Sequence, residues 1–272
     1  MKLVRLILII NCALFVQFLS IAQHFELADS LTAKKISFFE VDALGQIYVV
    51  DSLGGIKLFT PEGKLKVKYH NVRLGDVQSL DVSNPFQILV FYSDFQAVEI
   101  LDKSLSMIAS LPLITLDIGR ADALCFSNDL NLRVFDSVNG ALLRFDRSGN
   151  IQQKTSNIFQ LLGYSFNANK LEESRGQVYL FTSENKIEVF DIFGQHNTTI
   201  ILDENNYNNI QVFNDNELYI FLNNQLIIKN KMDWTKFLAI DYPKSDIRLA
   251  KVQQTKLYLL QGDSIYTYNI IK

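Results

Sequence analysis

The chain of 272 residues carries 26 Lys and Arg against 29 Asp and Glu, a formal net charge of −3, with 48% hydrophobic and 20% charged residues. That composition is too apolar for a disordered chain. The absence of a Lys/Arg block argues against nucleic acid, whose binding rests on phosphate neutralisation, and against an electrostatic lipid anchor.

The first element in chain order is a leader. Lys2 and Arg5 precede an apolar run, Leu6 to Leu19, broken only by Asn11, Cys12 and Gln17, and Ser20-Ile21-Ala22 then supplies small residues before Gln23. This layout predicts a cleavable signal peptide over 1–22, a mature domain over 23–272, and export. The periplasm is the first expectation, with the cell surface or the medium as alternatives. Retention as an anchor competes with this reading, but the run is short for a bilayer span of about 20 apolar residues, so no membrane span is expected in the mature chain. Loss of the leader leaves 24 basic against 29 acidic residues, a net of −5. It also leaves one cysteine, Cys125, within the apolar run Ala123-Leu124-Cys125-Phe126. A lone cysteine forms no internal disulfide, and here it reads as a buried small hydrophobe.

From Phe25 onward the chain is a series of short runs rich in Ile, Val, Tyr, Phe and Leu, separated by Asn, Asp, Gly and Ser turns. That predicts a meander of antiparallel strands. Runs such as Ile47-Tyr48-Val49-Val50 are apolar on both faces, as sheets stacked between sheets require. The runs also repeat. Val82–Asp102 and Phe126–Asp146 have the same length, with Ser-Asn, Val-Phe and a terminal Asp in register. Asp42–Gly63, Gly176–Gly194 and the segments from Asn216 and Thr255 share the layout. Tyr48, Val90, Val134, Tyr179, Tyr219 and Tyr258, one per copy, are separated by 42, 44, 45, 40 and 39 residues. About 40 to 50 residues is the period of a four-stranded propeller blade, so the prediction is all-β: a six-bladed β-propeller. The last copy stops one strand short at Ser264–Ile271. Phe25–Leu31 has no blade of its own, which predicts that it supplies the missing outer strand and closes the ring.

Asp42-Ala-Leu-Gly-Gln-Ile-Tyr-Val-Val-Asp51, followed by Ile56-Lys-Leu-Phe59 and Pro61-Glu-Gly63, resembles a blade of the NHL and related six-bladed propellers. The resemblance covers nearly all of the mature chain and concerns fold, which by itself assigns no activity. Among such propellers, the gluconolactonase-like family holds a divalent metal near the central channel with Glu, Asn and Asp. Glu40 occupies a place like that family's first ligand, and Asp81 falls at the same level. Cys125 and Lys251 take the next comparable positions, and an ammonium and a neutral thiol do not make a hard oxygen cage. No metal or other cofactor is therefore expected.

Further candidates lie in loops. Asp76, Asp122, Asn209 and Asp246 each precede an inner strand and are expected at one mouth of the channel, to bind a cation or basic peptide or simply to form turns. Tyr207 and Trp234, in polar loops, are candidate interface aromatics. Asp29-Ser30-Leu31, Asp51-Ser52-Leu53, Asp136-Ser137-Val138 and Asp263-Ser264-Ile265 share an Asp-Ser-aliphatic form. That form resembles the acceptor motif of a periplasmic O-glycosylation system, making Ser30, Ser52, Ser137 and Ser264 candidate modification sites. Ordinary turn chemistry explains it equally. His24, His70 and His196 have no metal-ligand spacing, and no nucleophile elbow, zinc-protease or phosphate-loop motif occurs. The expected function is a non-catalytic binding or scaffold module engaging a protein partner in the cell envelope. The alternative is a lactonase-like enzyme or small-ligand binder working at the channel mouth.

Overall fold

The computed structural model describes residues 24–202, 207, 209–214, 217–222, 224–230 and 237–271. The leader over 1–22 and Trp234 lie outside the described residues. Six four-stranded antiparallel sheets follow one another along the chain. Their first strands are Ile36–Val41, Ser79–Asn84, Ala121–Phe126, Ala168–Ser174, Asn209–Asn214 and Leu249–Gln253. Each of these touches its two counterparts in the neighbouring sheets, and the sixth touches the first. The sheets are therefore blades around an axis, and the fold is a six-bladed β-propeller.

The ring closes as the sequence predicts. His24–Thr32 pairs antiparallel with Ser264–Ile271, from His24 opposite Ile271 to Thr32 opposite Ser264. It thereby becomes the outer strand of blade 6, whose three other strands come from the C-terminal end.

Side chains of a strand alternate between its two faces, and here each face meets another blade. Tyr48 and Val50 of blade 1 pack with Ile88, Val90 and Tyr92 of blade 2. Their neighbours Ile47 and Val49 turn the other way, onto Tyr258 and Leu260 of blade 6. The same division recurs around the ring, so the core is a set of clusters, each lying between adjacent blades.

Turns repeat with the blades. Between third and fourth strands, Asp102, Asp146 and Asp191 each accept two backbone N–H groups through Oδ1, and Thr60 does the same through its hydroxyl. Each such turn needs a residue of positive φ, supplied by Gly63, Gly149 and Gly194 and, in blade 2, by Leu105 at φ 57°. A left-handed leucine costs about 1 kcal/mol; burial of its side chain in the cluster between blades 1 and 2 offsets this. One short helix, Ile158–Leu162, lies in the connection from blade 3 to blade 4, capped by Asn157 and ended by Gly163.

The register corrects the repeat alignment in two blades. Glu40 lies opposite Tyr48, Asp81 opposite Leu89 and Cys125 opposite Arg133. Leu89 and Arg133, one residue before Val90 and Val134, are thus the counterparts of Tyr48. Strands apolar on both faces carry no alternation from which that single-residue slip could be detected.

Two residues of the closing strand test its role. Leu31 is buried in the cluster between blades 6 and 1, whereas Leu27 is exposed. Leu31→Ala is expected to cost about 2–4 kcal/mol and Leu27→Ala under about 0.5 kcal/mol, measured by urea unfolding. Equal effects would show that the strand does not lock the ring.

Candidate functional site

The six inner strands enclose a channel with a cavity of about 790 Å³. At one level around it stand Glu40, Asp81, Cys125, Glu172, Gln211 and Lys251, one per blade, each in the same register with its second strand. Each polar member on this level is joined to an adjacent blade. Asp81 Oδ2 accepts Phe126 N–H at 2.7 Å, and Glu172 accepts Val212 N–H at 3.4 Å. Gln211 donates to Val252 O at 2.7 Å and accepts Val252 N–H at 3.1 Å. Lys251 Nζ meets Glu40 at 2.7 Å, joining blade 6 to blade 1. One step along, Asn209 donates to Ala250 O at 3.0 Å, and Lys170 donates to Ile210 O at 2.7 Å while pairing with Glu172 at 2.7 Å. Inner strands have a free backbone edge facing the axis, and these side chains satisfy donors and acceptors that would otherwise depend on channel water.

This ring does not form a metal cage. Glu40 is bound to an ammonium rather than to a second carboxylate. Burial pushes the Cys125 thiol well up, and the charge of Asp81 adds to the shift. Asp81 is itself raised by burial, against the lowering effect of its bonds from Ser83 and Phe126. Among the described residues, no group of three or more His, Cys, Asp and Glu is placed to hold a metal ion.

The loop candidates divide. Asn209 and Tyr207 line the channel, whereas Asp76, Asp122 and Asp246 do not. Asp76 and Asp246 are exposed, and Asp122 pairs with Arg120 at 3.1 Å. Tyr207 is half-buried against the core between blades 4 and 5. In each Asp-Ser-aliphatic motif the aspartate takes a backbone N–H. Asp29 accepts Ser30, Asp51 accepts Leu53 and Gly55, Asp136 accepts Val138, and Asp263 accepts Ile36. Ser30 and Ser52 are exposed, while Ser137 and Ser264 are partly covered. Asp136 does more than shape its turn. It also receives Gly119 N–H at 2.9 Å, Arg120 N–H at 3.2 Å and Asn139 Nδ2 at 2.6 Å, tying blade 3 to the connection that enters it. Burial alone would raise its carboxyl, but these bonds prevail and hold it below the ordinary aspartate value of 3.8.

Sequence reasoning missed three buried polar groups. Glu99 accepts Tyr69 OH at 2.8 Å, Tyr92 OH at 2.9 Å and Asn71 Nδ2 at 2.7 Å. Its counterpart in blade 4, Glu188, accepts Thr199 Oγ1 at 2.6 Å, meets His196 Nε2 at 2.8 Å and receives the hydroxyl of Tyr164. Burial, with the adjacent Glu99, pushes both Tyr69 and Tyr92 far up, so their hydroxyls remain donors. Arg133 pairs with Glu173 at 2.5 Å, with side chains only 1% and 3% exposed, and Glu173 also accepts Asn128 N–H. The available signal was a charged residue inside an otherwise apolar run, as in Ala97-Val98-Glu99-Ile100.

No family model and no curated protein matches the chain. Solved structures do. The WD40 domain of Neurospora crassa Pan2 aligns with 91% of this chain and 96% of its own at 10% identity and a TM-score of 0.66. Virginiamycin B lyase from Staphylococcus aureus, crystallised with quinupristin as an inactive variant, aligns over 91% and 100% at 11% identity and a TM-score of 0.65. The β-propeller domain of Myceliophteria thermophila Cps50 (Swd1) gives the same values. At such identity the likeness is one of fold.

Two comparisons test the site's physics. Arg133→Met strands a buried carboxylate and is expected to cost about 3–5 kcal/mol. Lys251→Met frees Glu40, a quarter exposed, and is expected to cost no more than about 1 kcal/mol; urea titrations would rank the two. A carboxyl lowered on folding stabilises fully above its unfolded pKa, and the gain disappears as pH falls through the lower native value. Asp136→Asn is therefore expected to lose about 1–3 kcal/mol at pH 7, with the difference from wild type shrinking below pH 3.8.

Proposed function

We propose that the chain is a non-catalytic binding module, exported to the cell envelope, that presents a rigid ring of loops to a protein partner. The observation that carries this reading is the engagement of the channel's polar groups with one another and with backbone. Glu40 is held by Lys251, Asp81 by Phe126 N–H, Glu172 by Lys170 and Gln211 by Val252, which leaves the blade-tip loops as the surface for recognition. The leader-like Lys2–Ala22 segment supports export. The propellers of similar fold include WD40 domains and a lyase, and at their level of identity neither activity carries over. On this reading the exposed Ser52, one of the Asp-Ser-aliphatic serines, is also a proposed glycan acceptor.

The test is isolation of the protein from its native envelope in mild detergent, identifying co-purifying proteins and measuring bound metal on the same sample. A stoichiometric protein partner, retained in Glu40→Ala and Asp81→Ala, is expected. A lone monomer carrying a stoichiometric divalent ion that is lost in Glu40→Ala would replace this reading with lactonase-like or small-ligand chemistry at the channel.

A further inference from the structure

Second-to-third-strand turns and inter-blade connections share one face of the ring. On that face, Leu53, Val72, Phe95, Ile114, Val138 and Leu161 are each between 56% and 82% exposed. They come from consecutive parts of blades 1 to 3 and the connection leaving blade 3, and the backbone between them is continuous in space. Gly54, next to Leu53, lies against Gly75 O, and the ring of Phe95 lies over Gly75. Gln96 O accepts Leu113 N–H at 2.7 Å, beside Ile114, and the Gln96 side chain bonds both the N–H and the carbonyl of Ala121. Val138 packs on Gly119, and Gly140 O accepts Ile158 N–H in the helix that carries Leu161. The turns and connections that carry these six side chains therefore lie side by side in an arc. A soluble surface normally breaks up such a patch.

Charge along the arc is divided between its two ends. Asp76, Asp94 and Asp117 are exposed beside it, and among the described residues none of them is in an ion pair. Arg120 pairs with Asp122, and Arg73 is exposed in the same connection as Asp76. Lys34 and Lys35 lie at the opposite end, where Lys35 O accepts Ser52 N–H. An occupant that covers the apolar side chains and matches this charge has hydrophobic residues flanked by Lys or Arg, with its basic part over blades 2 and 3.

We propose that this arc is the docking surface for a basic, apolar peptide segment of a partner protein. The inference rests on the binding-module reading and adds to it the place and chemistry of recognition. The loops are held by Asp136 and Gln96 through main-chain bonds, so the surface is set before the partner arrives, which reduces the ordering cost of binding.

A random peptide library displayed on phage, selected against the folded protein, tests it directly. The enriched peptides would be synthesised and their affinities measured by fluorescence anisotropy on wild type, Phe95→Ser/Val138→Ser and Asp94→Lys/Asp117→Lys. All four positions are surface-exposed, and unchanged melting temperatures would establish that the variants fold. Expected are peptides with Lys or Arg next to aromatic or aliphatic residues, bound at least 10-fold more weakly by either double variant and unchanged by Glu40→Ala. Enrichment of acidic or neutral peptides, equal binding to the variants, or no enrichment would overturn the assignment. So would a concentration-dependent dimer, seen by sedimentation, that Phe95→Ser abolishes, because the occupant would then be a second copy. If a co-purifying partner is retained by both double variants, the binding-module reading stands and this surface falls.

Discussion

Every blade of this protein is sandwiched, and that constraint governs the rest of the structure. A second-strand residue such as Tyr48 faces the next blade while Val49 faces the previous one, so no strand in the interior has a face left for water. A sheet in this position cannot be stable alone: removing one neighbour exposes a continuous apolar surface. The ring must therefore close, and it closes by chain topology. His24–Thr32 completes blade 6 on Ser264–Ile271, so opening the seam exposes an unpaired strand edge and separates Leu31 from Ile36 and Ile265 together.

Hydrophobic packing between blades has no direction, and polar groups supply the register. Asp81, Glu172, Gln211 and Lys251 each reach an adjacent inner strand at the channel level. Farther out, Glu99 and Glu188 are buried acceptors for tyrosine hydroxyls, with Tyr69 joining blade 1 to blade 2. Sliding one blade against the next would leave a buried carboxylate without donors, a larger penalty than the loss of the hydrogen bond itself. The same residues that attract attention as chemistry in a channel are thus the ones that fix how the blades meet.

Beyond the channel level, where polar groups engage one another and backbone, the blade turns are held as well. Their aspartates are structural: Asp51 and Asp136 accept backbone N–H groups within their own turns, and Asp136 also grips the incoming connection. Holding the turn in this way brings the following aliphatic residue, Leu53 or Val138, to the surface. In three dimensions the aspartate of the Asp-Ser-aliphatic motif shapes its turn and sets the following side chain on the surface.

The sequence alone determined the all-β class, the six repeats and the closing strand, because these depend on local alternation, turn residues and a period of about 40 residues, all of which are printed along the chain. It did not determine the one-residue offset at Leu89 and Arg133, because strands apolar on both faces look alike in either register. Nor did it pair Arg133 with Glu173, Glu40 with Lys251, or Tyr69 and Tyr92 with Glu99. Tertiary structure alone decided these, since each joins residues from different strands or blades, and a charge in an apolar run declares that it needs a partner without naming one. The apolar arc from Leu53 to Leu161 was hidden for the same reason: its members are isolated hydrophobic residues in separate turns until the ring sets those turns side by side.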